Sequence, residues 1–199
     1  MADLTYISEG NSKTECFSFD LPARRSCPGK TKECSKDCYA AALMKLYPGV
    51  DAKYKRNRRF VNSPKFVDYM IREIPPDCQF RIHVSGDFFS KEYIRKWMKI
   101  VTTRKDVTFY AYTRSWRDKK LWHEIKWLSA FENININLSV DDETGEPTAI
   151  AAEFYRWCYL TKTDNVPNWI RYDDIIFRSN GCRLLKISIY KASGWFGLP

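Results

Sequence analysis

Three cysteines near the start of the sequence are the residues best suited to chemistry. Cys27, Cys34 and Cys38 follow the pattern C-x6-C-x3-C within a polar loop. Thiolates clustered in this way bind zinc or hold iron–sulfur clusters. A structural zinc site takes four protein ligands, often from paired C-x2-C units, whereas a cluster accepts a distant fourth cysteine or an outside ligand. The pattern therefore predicts an iron–sulfur cluster of the [4Fe-4S] type, with zinc as the alternative.

Two further cysteines are candidates for the fourth ligand. Cys182 precedes the last predicted strand, so its loop is expected to reach the same edge of the sheet as the three-cysteine loop. Cys16 is the second choice, because it lies at the opposite end of the first predicted strand. Cys78 and Cys158 adjoin apolar segments and are interpreted as core residues, since cysteine is among the residue types most often buried.

The surroundings of these cysteines indicate reduced thiols in a cytoplasm. The chain has seven cysteines, an odd number, and it opens without the basic and apolar stretches of a secretion signal. No apolar run has the length needed to span a bilayer, so no membrane partner is expected. A helix is expected to start at Cys34 and to continue to Leu46, which would place Cys34 and Cys38 on one face.

Strands and amphipathic helices alternate along the rest of the chain. Predicted strands start at Phe80, Val107 and Ile134, at equal intervals, and one helix with an apolar stripe lies in each interval. Strand–helix–strand units of this size favour parallel neighbours with helices packed on the sheet. The sequence therefore predicts a parallel α/β fold, closing toward a barrel or open as a doubly wound sheet.

The remaining elements complete a single predicted domain over residues 1–199. The first strand, the cysteine loop and the first helix occupy about 15–46, and the βα repeats occupy about 64–190. Within these parts the patterns predict a strand over 17–21, a helix over 63–74 capped by Ser63, a helix over 149–159, and strands over 174–177 and 184–189.

Polar residues follow the predicted strands where each strand ends. They are Ser85, Gly86, Asp87, Tyr112, Arg114 and Asp141. Because the carboxyl ends of parallel strands meet at one edge, these side chains are expected to share a ligand-binding mouth. Asp87 and Asp141 would accept hydrogen bonds from a ligand amine or hydroxyl, and Arg114 would pair with a carboxylate or phosphate. A turn or capping role is the alternative for each residue.

The charge balance permits an anionic partner. The chain has 33 basic and 24 acidic residues, which gives a net charge of +9. One stretch interleaves cations with aromatic residues, as surfaces that bind single-stranded nucleic acid do. Its cations are Lys53, Lys55, Arg56, Arg58 and Arg59. A solvated helix face is the alternative, so the expected partner is an unknown small molecule or a nucleic acid.

In layout, the chain resembles the radical S-adenosylmethionine (SAM) superfamily. Those proteins open with a strand, a three-cysteine loop and a helix, and here the same order precedes Ser85-Gly86-Asp87. The resemblance implies a (β/α)6-type partial barrel, a [4Fe-4S] cluster with one iron open to SAM, and binding of the SAM amino group by Asp87. The cysteine spacing here differs from the C-x3-C-x2-C spacing of that superfamily.

In its motifs, the chain is more closely similar to the gene product 88 family of bacteriophage and mobile-element proteins. The shared features are Cys27-Pro28-Gly29, Cys38-Tyr39-Ala40 and the stretches 83–88 and 109–115. The family brings no settled activity. A phage origin would place the protein in the cytoplasm of the host cell.

Two functions are compatible with these observations. The first is an iron–sulfur protein with a radical-SAM-like core that carries out reductive or radical chemistry on an unknown substrate. The second is a noncatalytic iron–sulfur or zinc protein that serves in nucleic-acid binding or redox sensing.

Overall fold

The computed structural model describes residues 5–10, 16–146, 156–161, 167–168 and 175–178. Six strands in these ranges form one sheet, in which each strand lies beside the one before it in sequence and every pairing is parallel. The strands are β1 (Phe17–Phe19), β2 (Gln79–Ile82), β3 (Thr108–Thr113), β4 (Ile134–Asp141), β5 (Arg156–Thr161) and β6 (Ile175–Arg178). The prediction of an α/β fold with a parallel sheet is confirmed.

Six α-helices accompany these strands in the described part of the chain. They are α1 (Lys32–Lys36), α2 (Tyr39–Leu46), α3 (Pro48–Phe60), α4 (Phe66–Glu73), α5 (Lys91–Thr103) and α6 (Lys119–Ser129). The Ser90 hydroxyl caps α5 as predicted, since it accepts from the backbone N–H of Tyr93. A 3-10 turn over Ser115–Arg117 precedes α6, which is capped by the carboxylate of Asp118. None of the described helices combines the length and the apolar character needed to cross a membrane.

The single helix predicted from Cys34 to Leu46 is wrong. The structure contains two helices there, because Cys38 has an extended backbone (φ −68°, ψ 102°) and acts as the N-cap residue of α2. Cys34 and Cys38 therefore do not share one helical face. The start of α1 is fixed from outside, because a carboxylate oxygen of Glu143 accepts from the N–H groups of Lys32 and Glu33. A contact between distant parts of the chain thus fixes where α1 begins.

Two other helix predictions also need correction. The helix predicted to start at Ser63 starts at Phe66, because the Ser63 hydroxyl accepts from Lys65 N within a turn. The helix predicted over 149–159 is wrong from residue 156 onward, where the chain forms β5 and pairs with β4. Residues 149–155 and the predicted strand at 184–189 lie outside the described residues.

Aromatic rings form the centre of the core on one face of the sheet. Trp97 of α5 is fully buried, and its ring centroid lies 6.0 to 6.4 Å from those of Phe19, Phe80 and Phe109 on three neighbouring strands. Phe66 of α4 joins the same group, 6.1 Å from Trp97. Rings at these distances and tilts pack favourably beyond the area that they bury.

His83 extends this core just beyond β2. Its backbone is left-handed (φ 74°), and its Nε2 lies 2.7 Å from the hydroxyl of Tyr93. Burial and the nearby charge of Arg81 lower the pKa of His83 to about 3, so the buried ring is neutral. A neutral ring suits its position among the aromatic side chains of the core.

This histidine makes the stability of the protein depend on pH. The unfolded chain takes up a proton near pH 6.5, whereas the folded chain does so only near pH 3. The stabilisation is therefore complete above pH 6.5 and is lost as the pH falls toward 3. We expect His83→Asn to remove this loss of stability at low pH. The difference in unfolding free energy between the wild type and His83→Asn should therefore change by up to about 1.4 kcal/mol per pH unit. Urea denaturation from pH 7.5 to 4.5 measures it.

The control is His123→Asn, at an exposed position of α6, which should show the pH dependence of the wild type. Asn is suited to the test because it tolerates left-handed backbone. Asp87 contributes with the opposite sign, since its raised pKa stabilises the fold at low pH, but it does so in all three proteins. A constant difference between wild type and His83→Asn over this range would contradict the prediction.

Candidate functional site

A buried ion pair joins the cysteine loop to the carboxyl edge of the sheet. Nη1 of Arg114, which follows β3, lies 2.6 Å from Oδ2 of Asp141 at the end of β4. The Thr31 hydroxyl donates to the same carboxylate oxygen at 2.6 Å and accepts from the backbone N–H of Cys34. All three side chains, those of Thr31, Arg114 and Asp141, are buried. The pair thus links two strands to the loop that bears the cysteines.

The same loop packs directly on the backbone of Arg114. A Cβ atom added to Gly29 would lie 1.8 Å from the Arg114 carbonyl oxygen, so only glycine fits there. Nη1 of Arg117 donates to the Gly29 carbonyl at 2.9 Å and fixes the loop from the other side. The Cys-Pro-Gly segment therefore has one closely defined position over the edge of the sheet.

Asp87 is the second buried carboxylate at this edge. It accepts hydrogen bonds from the Thr113 hydroxyl at 2.6 Å and from the backbone N–H groups of Arg114 and Phe88. Burial raises the pKa of Asp87 to about 6, although these donors act against the shift. Burial also opposes ionisation of Asp141, but the Thr31 hydroxyl and the Arg114 charge bring the pKa of Asp141 below its ordinary value.

The structure brings five of the six predicted ligand-binding residues together at this edge. Ser85 is buried there and donates to the Leu21 carbonyl, and Gly86 packs against Leu21 with a φ of +85°. Tyr112 points away from Thr113 and its core-facing neighbours, because successive side chains of a strand alternate. Its ring lies 4.9 Å from the guanidinium carbon of Arg81, on the opposite face of the sheet. Roles in ligand binding for these six residues stay predictions.

The three loop cysteines are half-buried free thiols near the two carboxylates. Burial, followed by the charge of Asp87, raises the pKa of Cys27 to about 12, and Cys34 and Cys38 add to this shift. Burial likewise raises the pKa of Cys34, although the Arg114 charge acts in the opposite direction. The surroundings of Cys27 and Cys34 therefore favour the neutral thiol over the thiolate that binds metals.

The predicted iron–sulfur function is wrong. Among residues 5–10, 16–146 and the shorter described ranges after them, no three His, Cys, Asp or Glu side chains form a group that could hold a metal ion. The finding applies equally to the zinc alternative and to the noncatalytic metal protein. The broken helix removes the shared helical face that was predicted for Cys34 and Cys38, and burial disfavours the thiolate forms of Cys27 and Cys34. Cys182, predicted as the fourth ligand, lies outside the described residues.

Cys16, the second choice, is buried elsewhere. Its sulfur lies 2.9 Å from the Tyr110 hydroxyl, on the face of the sheet opposite Trp97. Of the two cysteines interpreted as core residues, Cys158 is buried and Cys78 is half-buried.

A row of polar side chains on this opposite face was missed by the sequence analysis. Ser18, Arg81, Tyr110 and Asn135 pair across β1 to β4, one position out of phase with the core-facing residues. Burial lowers the pKa of Arg81, but Tyr39, Tyr110, Tyr112 and Asp20 together raise it, so the guanidinium stays charged. The alternation of apolar with polar residues in β2 and β3 was the available signal, because it predicts one polar face for each strand.

The basic stretch in α3 is largely engaged within the chain. Lys53 donates to the Ile7 carbonyl, Arg56 donates to the Thr5 carbonyl, Arg58 lies over the Phe89 ring, and Lys55 pairs with Asp51. Arg59 is exposed. Nucleic-acid binding by these five cations stays a prediction. Lys53, Arg56 and Arg58 also have a structural role, because they hold neighbouring segments of the chain in place.

Comparison with known proteins identifies the family. The family model described as gene product 88 matches residues 3–188, which include the cysteine loop and all six strands. The chain belongs to the gene product 88 family. Its relatives include the Gene 88 proteins of Mycobacterium phages L5 and D29, which are 31% and 30% identical to this chain over 131 residues.

Each of these matches covers 57% of this chain and 55% of the relative, so the chain spans about half the length of the phage proteins that it matches. No solved structure matches the chain. The resemblance to gene product 88 proteins is therefore confirmed, whereas the comparisons do not support the radical SAM layout.

The loop geometry of this gene product 88 protein can be tested with two glycines. We expect Gly29→Ala to destabilise the protein by about 1 to 3 kcal/mol, because the added methyl group meets backbone atoms that cannot move aside. Gly49→Ala is the matched control, since no atom lies within 4 Å of the added Cβ and α3 should gain up to about 1 kcal/mol. Urea denaturation of both variants measures the difference. Equal stability of the two would contradict the observed loop position.

Proposed function

We propose that the protein binds a small anionic molecule on the polar face of its sheet, next to the cysteine loop. The observation that supports this is a charged arginine, Arg81, in the middle of that face, which pairs with Tyr110 of the next strand and lies over the ring of Tyr112. Parallel α/β proteins bind ligands near the carboxyl ends of their strands. β2 ends one residue after Arg81.

The surroundings of Arg81 fit the recognition of a carboxylate or phosphate. A guanidinium carries five N–H donors in a planar fork, which suits the bidentate binding of such groups. The Nε–H donates to the His83 carbonyl at 3.1 Å, and the ring of Tyr112 lies 4.9 Å from the guanidinium carbon. These contacts orient the fork before a ligand arrives, which lowers the entropy cost of binding.

The buried groups at the carboxyl edge act as positioning residues in this proposal. Arg114 and Asp141 are paired with each other, so they hold the cysteine loop in place. Asp87 accepts hydrogen bonds from Thr113, Arg114 and Phe88, and the Ser115 side chain also acts on it, so a ligand amine would take the place of the Ser115 hydroxyl. A ligand with both an acidic group and an amino group would contact Arg81 and Asp87 together, and SAM is one such molecule.

We also propose that the sheet is curved as a (β/α)6-type partial barrel. The strand order runs from β1 to β6 without a reversal, whereas a doubly wound sheet reverses its order at a switch point. In a curved sheet of this order, the polar row around Arg81 would line the concave side.

A cytoplasmic location in the host cell forms part of the same proposal. None of the cysteines in the described part of the cysteine loop is in a disulfide, and Cys27, Cys34 and Cys38 are only half-buried thiols there; Cys16 and Cys78 are also free thiols. Unpaired thiols of this number are typical of reducing compartments.

Thermal unfolding with three probes tests the site. We expect phosphate, glutamate or SAM, each at millimolar concentration, to raise the Tm of the wild-type protein. A ligand at one hundred times its dissociation constant stabilises the fold by about 2.7 kcal/mol. Arg81→Gln should abolish the shift, because it removes the charge while keeping a polar side chain of similar length.

The matched control is Arg59→Gln, which removes an exposed arginine from α3 and should leave the shift unchanged. A selective loss of the SAM response in Asp87→Asn would assign the amino group to Asp87. Failure of all three probes to stabilise the wild type, or an equal shift in Arg81→Gln, would contradict the proposed site.

A further inference from the structure

A separate cleft lies between the N-terminal segment, α3 and α4. Its volume is about 390 Å³, and it is lined by Tyr6, Phe60, Lys65, Asp68, Tyr69 and Arg72. None of these residues belongs to the carboxyl edge or to the polar face of the sheet. The cleft combines three aromatic rings with three charged side chains, a composition that differs from a purely apolar groove.

The aromatic rings of the cleft are held in a fixed arrangement. Tyr6 stacks on Phe60 with ring centroids 3.9 Å apart and planes tilted by 13°. Tyr69 meets both rings edge-on at 5.1 and 5.2 Å, and its hydroxyl accepts from the backbone N–H of Tyr6. All three side chains are half-buried, so each combines anchoring contacts with an accessible part. One face of Tyr6 is covered by Phe60 and Arg56 lies over its ring, so a further ring would pack against Tyr69 and the accessible edge of Tyr6.

Cations surround this aromatic surface. Lys65 and Arg72 are two turns apart, on the same side of the chain as Tyr69, and the Arg72 guanidinium lies 5.9 Å from the Tyr69 ring. Arg72 also pairs with Glu73, but both side chains are exposed, at 69% and 42%, and such pairs contribute little. On the other side, the Arg56 guanidinium lies 5.3 Å from the Tyr6 ring. Among the residues that the structure describes, Asp68 is the one acidic residue that lines the cleft.

We propose that this cleft binds a nucleobase together with its phosphate, presented by a single-stranded nucleic acid or by a free nucleotide. The base packs against Tyr69 and the accessible edge of Tyr6, and the phosphate pairs with Lys65 and Arg72. Asp68 accepts a hydrogen bond from a base N–H or a sugar hydroxyl, while its charge opposes a phosphate placed close to it. Aromatic platforms edged by cations are how proteins bind single strands without reading their sequence.

The charge distribution favours this ligand over two simpler ones. An uncharged apolar molecule would leave Lys65 and Arg72 without a role and would place Asp68 beside apolar surface. A free phosphate would use the cations but not the stacked rings. A nucleotide uses both parts.

Fluorescence anisotropy with labelled oligothymidylate, and competition by thymidine monophosphate, test the proposal. We expect the oligonucleotide to bind, and to bind more weakly as salt concentration rises. The double variant Lys65→Ala/Arg72→Ala should bind at least about fivefold more weakly, and so should Tyr6→Leu, since stacking of one base contributes roughly 1 to 3 kcal/mol. Asp68→Asn should bind about twofold or more tightly, because it removes a charge that repels phosphate.

The control is Lys126→Ala, at an exposed position of α6, which should bind as the wild type does. Lys65 is exposed and the Arg72 side chain is 69% exposed, so their double variant is expected to fold even where Tyr6→Leu does not. Competition by the mononucleotide at similar affinity would identify a free nucleotide as the source of the ligand. Much weaker competition would identify a single strand. Both results support the cleft.

Two results would overturn the proposal. One is a wild-type protein that binds neither the oligonucleotide nor the mononucleotide at low salt. The other is binding that is weakened by Lys55→Ala/Arg59→Ala on α3 but is unchanged in the cleft variants. Neither result bears on Arg81, so the proposed anion site is tested independently.

Discussion

The buried pair of Arg114 and Asp141 is the interaction on which the arrangement of the cysteine loop depends. Both side chains are removed from water, so loss of one partner would leave an unpaired buried charge at a cost of about 3 to 5 kcal/mol. Thr31 joins the pair and caps α1, which extends its influence from the sheet to the loop. Gly29 then allows the loop to approach the Arg114 backbone closely. The loop is therefore shaped by the sheet beneath it, and not by its own sequence alone.

The position of this loop in the fold also affects the chemical state of its thiols. Burial is the largest cause of the raised pKa of Cys34, the Arg114 charge lowers that pKa, and Cys38, Asp141 and Asp87 contribute smaller upward effects. A deprotonated thiolate here would have to form in a half-buried setting. The spacing of cysteines in a sequence gives no information on how deeply the folded chain buries them. A pattern typical of metal ligands therefore predicted a function that the described residues do not support.

The sequence predicted the parts of the fold that rest on periodicity and missed those that rest on distant contacts. The regular spacing of β2, β3 and β4 was sufficient for the parallel sheet, and with it the shared edge of Asp87, Arg114 and Asp141. The start of α1 at Lys32 could not be predicted, because Glu143 contacts it from more than one hundred residues away. The start of β5 was predicted as the end of a helix, because no pattern in the local sequence indicates its pairing with β4. The polar row that contains Arg81 could have been predicted from the alternation of apolar and polar residues in β2 and β3. Its members were identified only from the register of the strands.

The net charge of +9 overstates the positive surface that a partner can reach. Arg104 donates to the carbonyls of Ile71, Ile74 and Pro75, and it thereby closes the C-terminal end of α4. Lys96 and Lys53 also donate to backbone carbonyls of neighbouring segments. Cations used in this way stabilise turns and helix ends and contribute less to long-range attraction. The cleft is therefore distinguished by the position of its cations and not by their number. They lie beside aromatic rings, so a nucleotide could contact the rings with its base and the cations with its phosphate. Cations that lie next to aromatic rings indicate where this protein would bind a nucleotide. The net charge alone does not indicate a position.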